Sequence, residues 1–185
     1  MRNVFYMVLF TCLTACTLAP QKVQVLPSLS FTQLNGLLTP IELLITDDRK
    51  NTLLLGYRNA KKEGEIEFKA PLVQSLGESI QKAMLAQGVK MHKGSDPFTR
   101  VTLQIDKLRY STPDESWVSR VKLEAEISML VSRGGSSFKK RFSANRSQDV
   151  AIAPSADFNE KYMNGLLSEI INKAMNDRDV INFLK

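Results

Sequence analysis

Between Val121 and Val131 every odd-numbered residue is apolar, and Lys122, Glu124, Glu126 and Ser128 alternate with them. A period of two marks a strand with one face buried and the other in water. Gly134-Gly135 follows as a two-residue turn signal. Folding the chain back about it sets Arg133 opposite Ser136, Val131 opposite Phe138, Ile127 opposite Phe142 and Ala125 opposite Ala144. The last three pairs are apolar on both sides, and a slip of one residue would turn every apolar side chain to water. Met129 opposite Lys140 is the exception. Val101, Leu103 and Ile105 alternate in the same way, but Leu108 and Tyr110 continue with the parity shifted. That shift predicts a bulge near Asp106–Lys107.

Upstream, Ile41–Thr46 is an aliphatic run of the kind buried on both faces of a sheet. A polar turn, Asp47–Asn51, ends it. Leu53, Leu55 and Tyr57, then Ile66 and Phe68, mark two short strands around the polar loop Arg58–Gly64. Pro71 fits the first turn of a helix. Leu72, Leu76, Ile80 and Met84 then fall on one stripe, joined by Val73 and Ala83, and Gly88 fits the residue beyond the helix end. A second helix opens on Asp157-Phe158-Asn159-Glu160, which reads as a capping box. Its apolar pairs Tyr162/Met163, Leu166/Leu167, Ile170/Ile171 and Ala174/Met175 make a wide face. Gly165 among them costs about 1 kcal/mol against alanine and points to close packing. Asp177 and Asp179 begin a final turn through Val180 to Lys185. The prediction is one α/β (α+β) domain over residues 40–185, a mostly antiparallel sheet with two main helices packed on it, in the order β-(β-β)-α-β-β-β-α.

The start of the chain has a different pattern. Arg2 precedes an apolar run from Val4 to Phe10, and Leu13-Thr14-Ala15-Cys16 follows. A charged region, a short apolar region and a small-residue site make a secretory signal over residues 1–15. The run is far short of the ~20 residues a spanning helix needs. Leu13–Cys16 resembles the lipobox of bacterial lipoprotein precursors, in which the cysteine thiol takes a diacylglyceryl group and the chain is cut just before it. The resemblance makes Cys16 the lipid-attachment residue; Cys12 lacks the pattern and falls in the discarded run. One acyl chain binds a membrane only reversibly, whereas several on one residue hold it there. Thr17 is not aspartate, which in enterobacterial lipoproteins implies the outer membrane. Residues 16–39, punctuated by Pro20 and Pro27, read as the lipidated terminus and tether; Val23, Val25, Leu29 and Phe31 are apolar enough to place its second part on the domain.

Cleavage leaves 170 of the 185 residues and takes the net charge from +6 to about +5. Cys16 is then the last cysteine, so stability rests on the apolar core without a disulfide. A mild positive balance outside the cytoplasm points to anionic envelope surfaces and not to nucleic acid. Zinc sites and histidine-based triads need several ligands or a positioned nucleophile and acid. The chain offers only His92, in the polar loop Lys90–Lys93, which reads as solvated. Glu124 and Glu126 share one strand face and read as an ion-pair ladder with Lys122 and the opposing basic strand. Gly77-x-Ser79 lacks the rest of a nucleophile elbow. No catalytic, cofactor-binding or metal-ligating residue and no cofactor are expected. The basic run Lys139-Lys140-Arg141, with Arg133 and Arg146, reads either as a contact for anionic lipid or cell-wall polymer or as a charged edge that resists aggregation. Tyr110 and Trp117 flank the loop 111–116 as candidate contacts or as core.

Taken with the lipobox, the segments Val101-Thr-Leu-Gln-Ile-Asp-Lys-Leu108 and Asp179-Val-Ile-Asn-Phe-Leu184, the Asp47-x-Arg49 motif and the order of elements resemble the YajG-type lipoproteins of Gram-negative bacteria. The resemblance implies a small periplasmic α/β domain anchored at the outer membrane, with no catalytic residues to carry over. The functional expectation is a non-enzymatic binding or assembly-helper module of the envelope, attached to the bilayer through acylated Cys16 and meeting an envelope protein or anionic polymer. The alternative is an envelope hydrolase with an unrecognised active site.

Overall fold

The structure, a computed structural model, describes residues 18–31, 34, 36–37, 39–94, 97–113, 119–151 and 153–185. The expected signal segment, residues 1–15, together with Cys16, Thr17 and Trp117, lies outside the described residues. Seven strands form one mixed sheet: β1 (Gln21–Val23), β2 (Ile41–Asp47), β3 (Leu54–Tyr57), β4 (Glu65–Phe68), β5 (Thr99–Ser111), β6 (Ser119–Arg133) and β7 (Ser136–Val150). Helices α1 (Leu72–Ala86), α2 (Ala156–Met175) and α3 (Arg178–Leu184) pack on one face. The sheet runs β1-β4-β3-β5-β6-β7, with β2 paired to the first half of β5 and β3 to its end. The expected order holds, with β1 and α3 added. The long strands β5, β6 and β7 are antiparallel, whereas the chain returns through α1 and so lays β5 parallel to β2 and β3.

The β6–β7 register is the one the apolar alternation requires, from Arg133↔Ser136 to Ile127↔Phe142 and Ala125↔Ala144. The predicted bulge falls between Ile105 and Lys107. Val101, Leu103, Val121, Leu123, Met129 and Val131 are fully buried under the helices. On the opposite face no helix among the described residues covers the long strands, and charged side chains line it. The run Ile41–Thr46 departs from expectation. α1 covers only one face of β2, so Ile41 and Ile45 are buried beneath it while Leu44, on the uncovered face, is 46% exposed.

Both long helices follow their stripes. Leu72, Leu76, Ile80 and Met84 are buried on α1, and Gly88 beyond it takes a positive φ of 76°. On α2 the cap is Ser155, whose Oγ accepts from the Phe158 N–H at 3.2 Å. The expected box at Asp157 is replaced by a single cap two residues earlier, with Phe158 at the position where a box needs an acid, and Glu160 accepts from Gln24 and Lys69 instead. Arg146 lies over Gly165, where any Cβ would collide with its guanidinium, and reaches Glu169 at 3.0 Å.

Glu160 begins a polar row that continues at Asn164, Ser168, Asn172 and Asn176, one residue per helical turn. An extended strap, residues 24–30, lies along it. The N–H groups of Gln24, Leu26, Ser28 and Ser30 donate to Glu160 Oε2 (2.7 Å), Asn164 Oδ1, Ser168 Oγ and Asn172 Oδ1 (each 2.8 Å). In return Asn164, Asn172 and Asn176 donate to the carbonyls of Gln24, Ser28 and Ser30 at 2.8, 3.2 and 2.9 Å. The fit is geometric. Four helical residues rise about 6 Å, and two extended residues span about 6.5 Å. The strap thus gains a partner strand made of side chains, while Val23, Val25, Pro27 and Phe31 turn into the core. The wide apolar face of α2 is needed for this, since it meets the sheet on one side and the strap on the other.

Candidate functional site

Two basic regions lie at opposite ends of the long strands. The distal one is the β6–β7 hairpin. Lys139 and Arg141 point to the uncovered face, opposite Leu130 and Ser128. Lys140, opposite Met129, points to the helix face, where its Nζ lies 2.8 Å from Asp177 and 2.7 Å from Asp179. Asp177 also caps α3, accepting from the N–H groups of Asp179 and Val180. The bonds to Asp177 and then Asp179 raise the Lys140 pKa. Burial pushes the Asp177 carboxyl up, but the bonds from Lys140 and the helix N–H groups outweigh it and hold the group below its ordinary value. Arg141 lies 3.7 Å from Asp106, and Arg133 donates to the Leu184 carbonyl at 3.2 Å. Most of this run is thus neutralised inside the molecule. Lys139 and Arg133 are left without an acidic partner among the described residues.

The second region lies toward the other end of the strands: Lys122 pairs with Ser147, six residues beyond Arg141 on β7, or about 20 Å at ~3.3 Å each. There a cleft of about 610 Å³ opens on the uncovered face, between the loop after β3 and the ends of β5 and β6. Strands β3 and β5 approach so closely that a Cβ on Gly56 would lie 2.3 Å from the Tyr110 carbonyl oxygen. The loop is folded by Asn59, which accepts from the Glu63 N–H at 2.9 Å and donates to the Glu63 carboxylate at 2.8 Å. Lys62 sits at its tip with φ of 61°, a left-handed conformation that side chains other than glycine rarely adopt. Lys62, Arg109 and Lys122 line the cleft against one described carboxylate, Glu124. Lys107 engages Glu124 at 3.1 Å, and none of the three cleft cations has an acidic partner among the described residues.

The same end receives the N-terminal residues. Arg58 donates to the Ala19 carbonyl at 3.0 Å and to the Pro154 carbonyl at 3.4 Å. Gly64, with φ of 65°, passes so near Leu18 that a Cβ on it would lie 2.8 Å from the Leu18 Cβ. The cleft wall and the point where the N-terminal segment meets the domain are one piece of structure.

Glu124 and Glu126 do form a ladder, but their partner is Lys107 on β5, at 3.1 and 3.7 Å; their neighbours on β7 are the uncharged Asn145 and Ser143. Tyr110 is core, 3% exposed, and burial raises its hydroxyl well above the ordinary range. His92 is half-buried and stacks on Phe98 at 4.1 Å between ring centroids. Asp47-x-Arg49 is a buried bidentate pair. Arg49 contacts both Asp47 oxygens, at 2.8 and 2.7 Å, and donates to the carbonyls of Thr52 and Leu54, which fixes the turn between β2 and β3. Among the described residues no three His, Cys, Asp or Glu side chains gather to hold a metal ion, and no helix is long and apolar enough to cross a membrane. Sequence patterns missed both the cleft and the α2 row. The four-residue recurrence of Asn164, Ser168, Asn172 and Asn176, poor helix formers all, was the available signal for the row.

Residues 33–185 match the family described as "Uncharacterized lipoprotein", and the chain belongs to that family. No curated protein matches it. Among solved structures, a Xanthomonas campestris protein of the DUF330 family superposes with a TM-score of 0.54 at 12% identity, covering 86% of this chain and 93% of its own. A minor lipoprotein of Acinetobacter baumannii gives 0.43 at 13% identity, covering 80% and 92%. Rare lipoprotein B of Shewanella oneidensis gives 0.45 at 13% identity, covering 76% and 90%. At these identities the first likeness shows the fold alone.

Proposed function

We propose that the chain is cut before Cys16, acylated there, and works at the periplasmic face of the outer membrane as a non-enzymatic binding or assembly-helper module. Membership of a lipoprotein family and the Leu13–Cys16 lipobox support the anchor. The observation that carries the binding half is the layering of the fold. Helices and strap crowd one face of the sheet, and the other face of β5, β6 and β7 is left uncovered and charged. Its partner is an envelope protein or an anionic envelope polymer. The distal hairpin, far from the anchored end, is the part that reaches away from the bilayer.

The test labels cells with a radioactive fatty acid and separates their membranes by density. Wild type is expected to carry label in outer-membrane fractions, and Cys16→Ser to carry none and to leave the membrane pellet. Equal label in both, or migration of the wild type with inner-membrane markers, overturns the anchor as stated.

A further inference from the structure

We propose that the cleft lined by Lys62, Arg109 and Lys122 seats phosphate-bearing headgroups of anionic phospholipid in the bilayer that carries the anchor. The inference rests on the anchoring reading above and adds the orientation of the domain and a second, polar attachment.

Reach is the first support. Leu18 already lies on the domain, against Gly64. Cys16 precedes it by two residues, and two residues span at most about 7 Å. A headgroup layer is itself about 5–8 Å deep. An acylated Cys16 therefore brings the loop 58–64, and the cleft it walls, to the lipid surface, with no slack for the domain to turn its other end down.

Charge is the second support. The three cleft cations are exposed and face no described carboxylate other than Glu124, which Lys107 already holds. Elsewhere on this face, Lys139 apart, cations meet acids: Arg100 pairs with Glu42, Arg120 with Asp149 and Arg141 with Asp106. In the cleft three cations gather without such a match among the described residues. The backbone of Lys62 is held in a left-handed conformation within the loop that the Asn59–Glu63 bonds fold, which sets the residue at the cleft wall. Arg109 offers a planar fork suited to a phosphate and Lys122 a point charge, with the hydroxyl of Ser111 between them on β5.

The test uses the full chain carrying Cys16→Ser, so that no acyl chain contributes to binding. It is sedimented with phosphatidylglycerol-containing vesicles and with pure phosphatidylcholine vesicles across a salt series. Salt-sensitive binding to the anionic vesicles alone is expected. Arg109→Gln with Lys122→Gln is expected to weaken it about tenfold or more, since each cation at an anionic surface is worth roughly a fivefold change. Lys139→Gln with Arg141→Gln removes the same charge from the distal end and is expected to change binding less than about twofold. Equal losses from the two pairs mean attraction by net charge and overturn the proposal, as does equal binding to both kinds of vesicle. Competition by millimolar inorganic phosphate that equals the effect of lipid would assign the cleft to a free anion instead, and that too overturns it. Fatty-acid labelling of the wild type reads the anchor separately, so failure of one reading is not mistaken for failure of the other.

Discussion

At the distal hairpin Lys140 is bonded to Asp177 and Asp179, Arg141 lies near Asp106, and Arg133 reaches the carbonyl of Leu184. Where the N-terminal segment meets the domain, Lys62, Arg109 and Lys122 converge on one cleft with no acidic partner among the described residues. Along the chain the ranking is the reverse: the hairpin carries three consecutive cations, whereas the cleft cations are scattered across sixty residues. A run of charge in a sequence is a statement about neighbours along a strand, and alternate residues of a strand face opposite ways. Lys140 thus leaves Lys139 and Arg141 and becomes part of the helix packing. A patch on a sheet is made across strands, and there Arg109 and Lys122 stand on adjoining strands with Lys62 folded over them.

The largest effect is expected where the two ends share a floor. Ile127, 2% exposed opposite Phe142, lies between them on β6. Ile127→Asp buries an unpaired carboxylate and is expected to cost roughly 4 kcal/mol, while Glu126→Lys on the uncovered face costs less than about 1 kcal/mol. Urea midpoints of the two variants check this; equal losses would mean that the faces have been exchanged.

A smaller effect is expected at the distal end, where charge serves the fold. Asp177→Ala removes the α3 cap and the partner of Lys140, at about 1–2 kcal/mol. Asp177 is held below its ordinary value of 3.8, so its contribution is present above that pH and is lost as pH falls through the depressed value. Lys140 is held above its ordinary value of 10.5, so its contribution is present below that pH and is lost as pH rises through the raised value. The gap between wild type and Asp177→Ala should therefore be flat near neutrality and shrink in acid. Denaturant midpoints from pH 3 to 8 measure it, and a gap that widens toward pH 3 would show the sign to be wrong.

The smallest effect is expected at the cleft. Arg109→Gln with Lys122→Gln should shift stability by no more than about 0.5 kcal/mol, because neither side chain has an acidic partner among the described residues to lose. A loss well above 1 kcal/mol in thermal or urea unfolding would place these cations among the contacts that hold the fold and erase the contrast between the two ends.

Short-range periodicity by itself determined the hairpin register, the bulge near Asp106, the α1 stripe and the buried face of α2. In each of these a wrong choice would put many apolar side chains in water at once, and the pattern is therefore redundant. The resemblance of Leu13–Cys16 to a lipobox is equally local, since four consecutive residues carry it. Tertiary structure decided what depended on a single distant partner. The α2 cap went to Ser155, while Glu160 was taken by Gln24 and Lys69. Leu44 was left on the surface because α1 covers only the other face of β2. The strap found the Asn–Ser row of α2 some 140 residues away, and the cleft formed where β3 crossed to β5 at Gly56. Such pairings leave weak traces in the chain, since an isolated asparagine or lysine is acceptable at any wet surface, and only the fold determines what it meets.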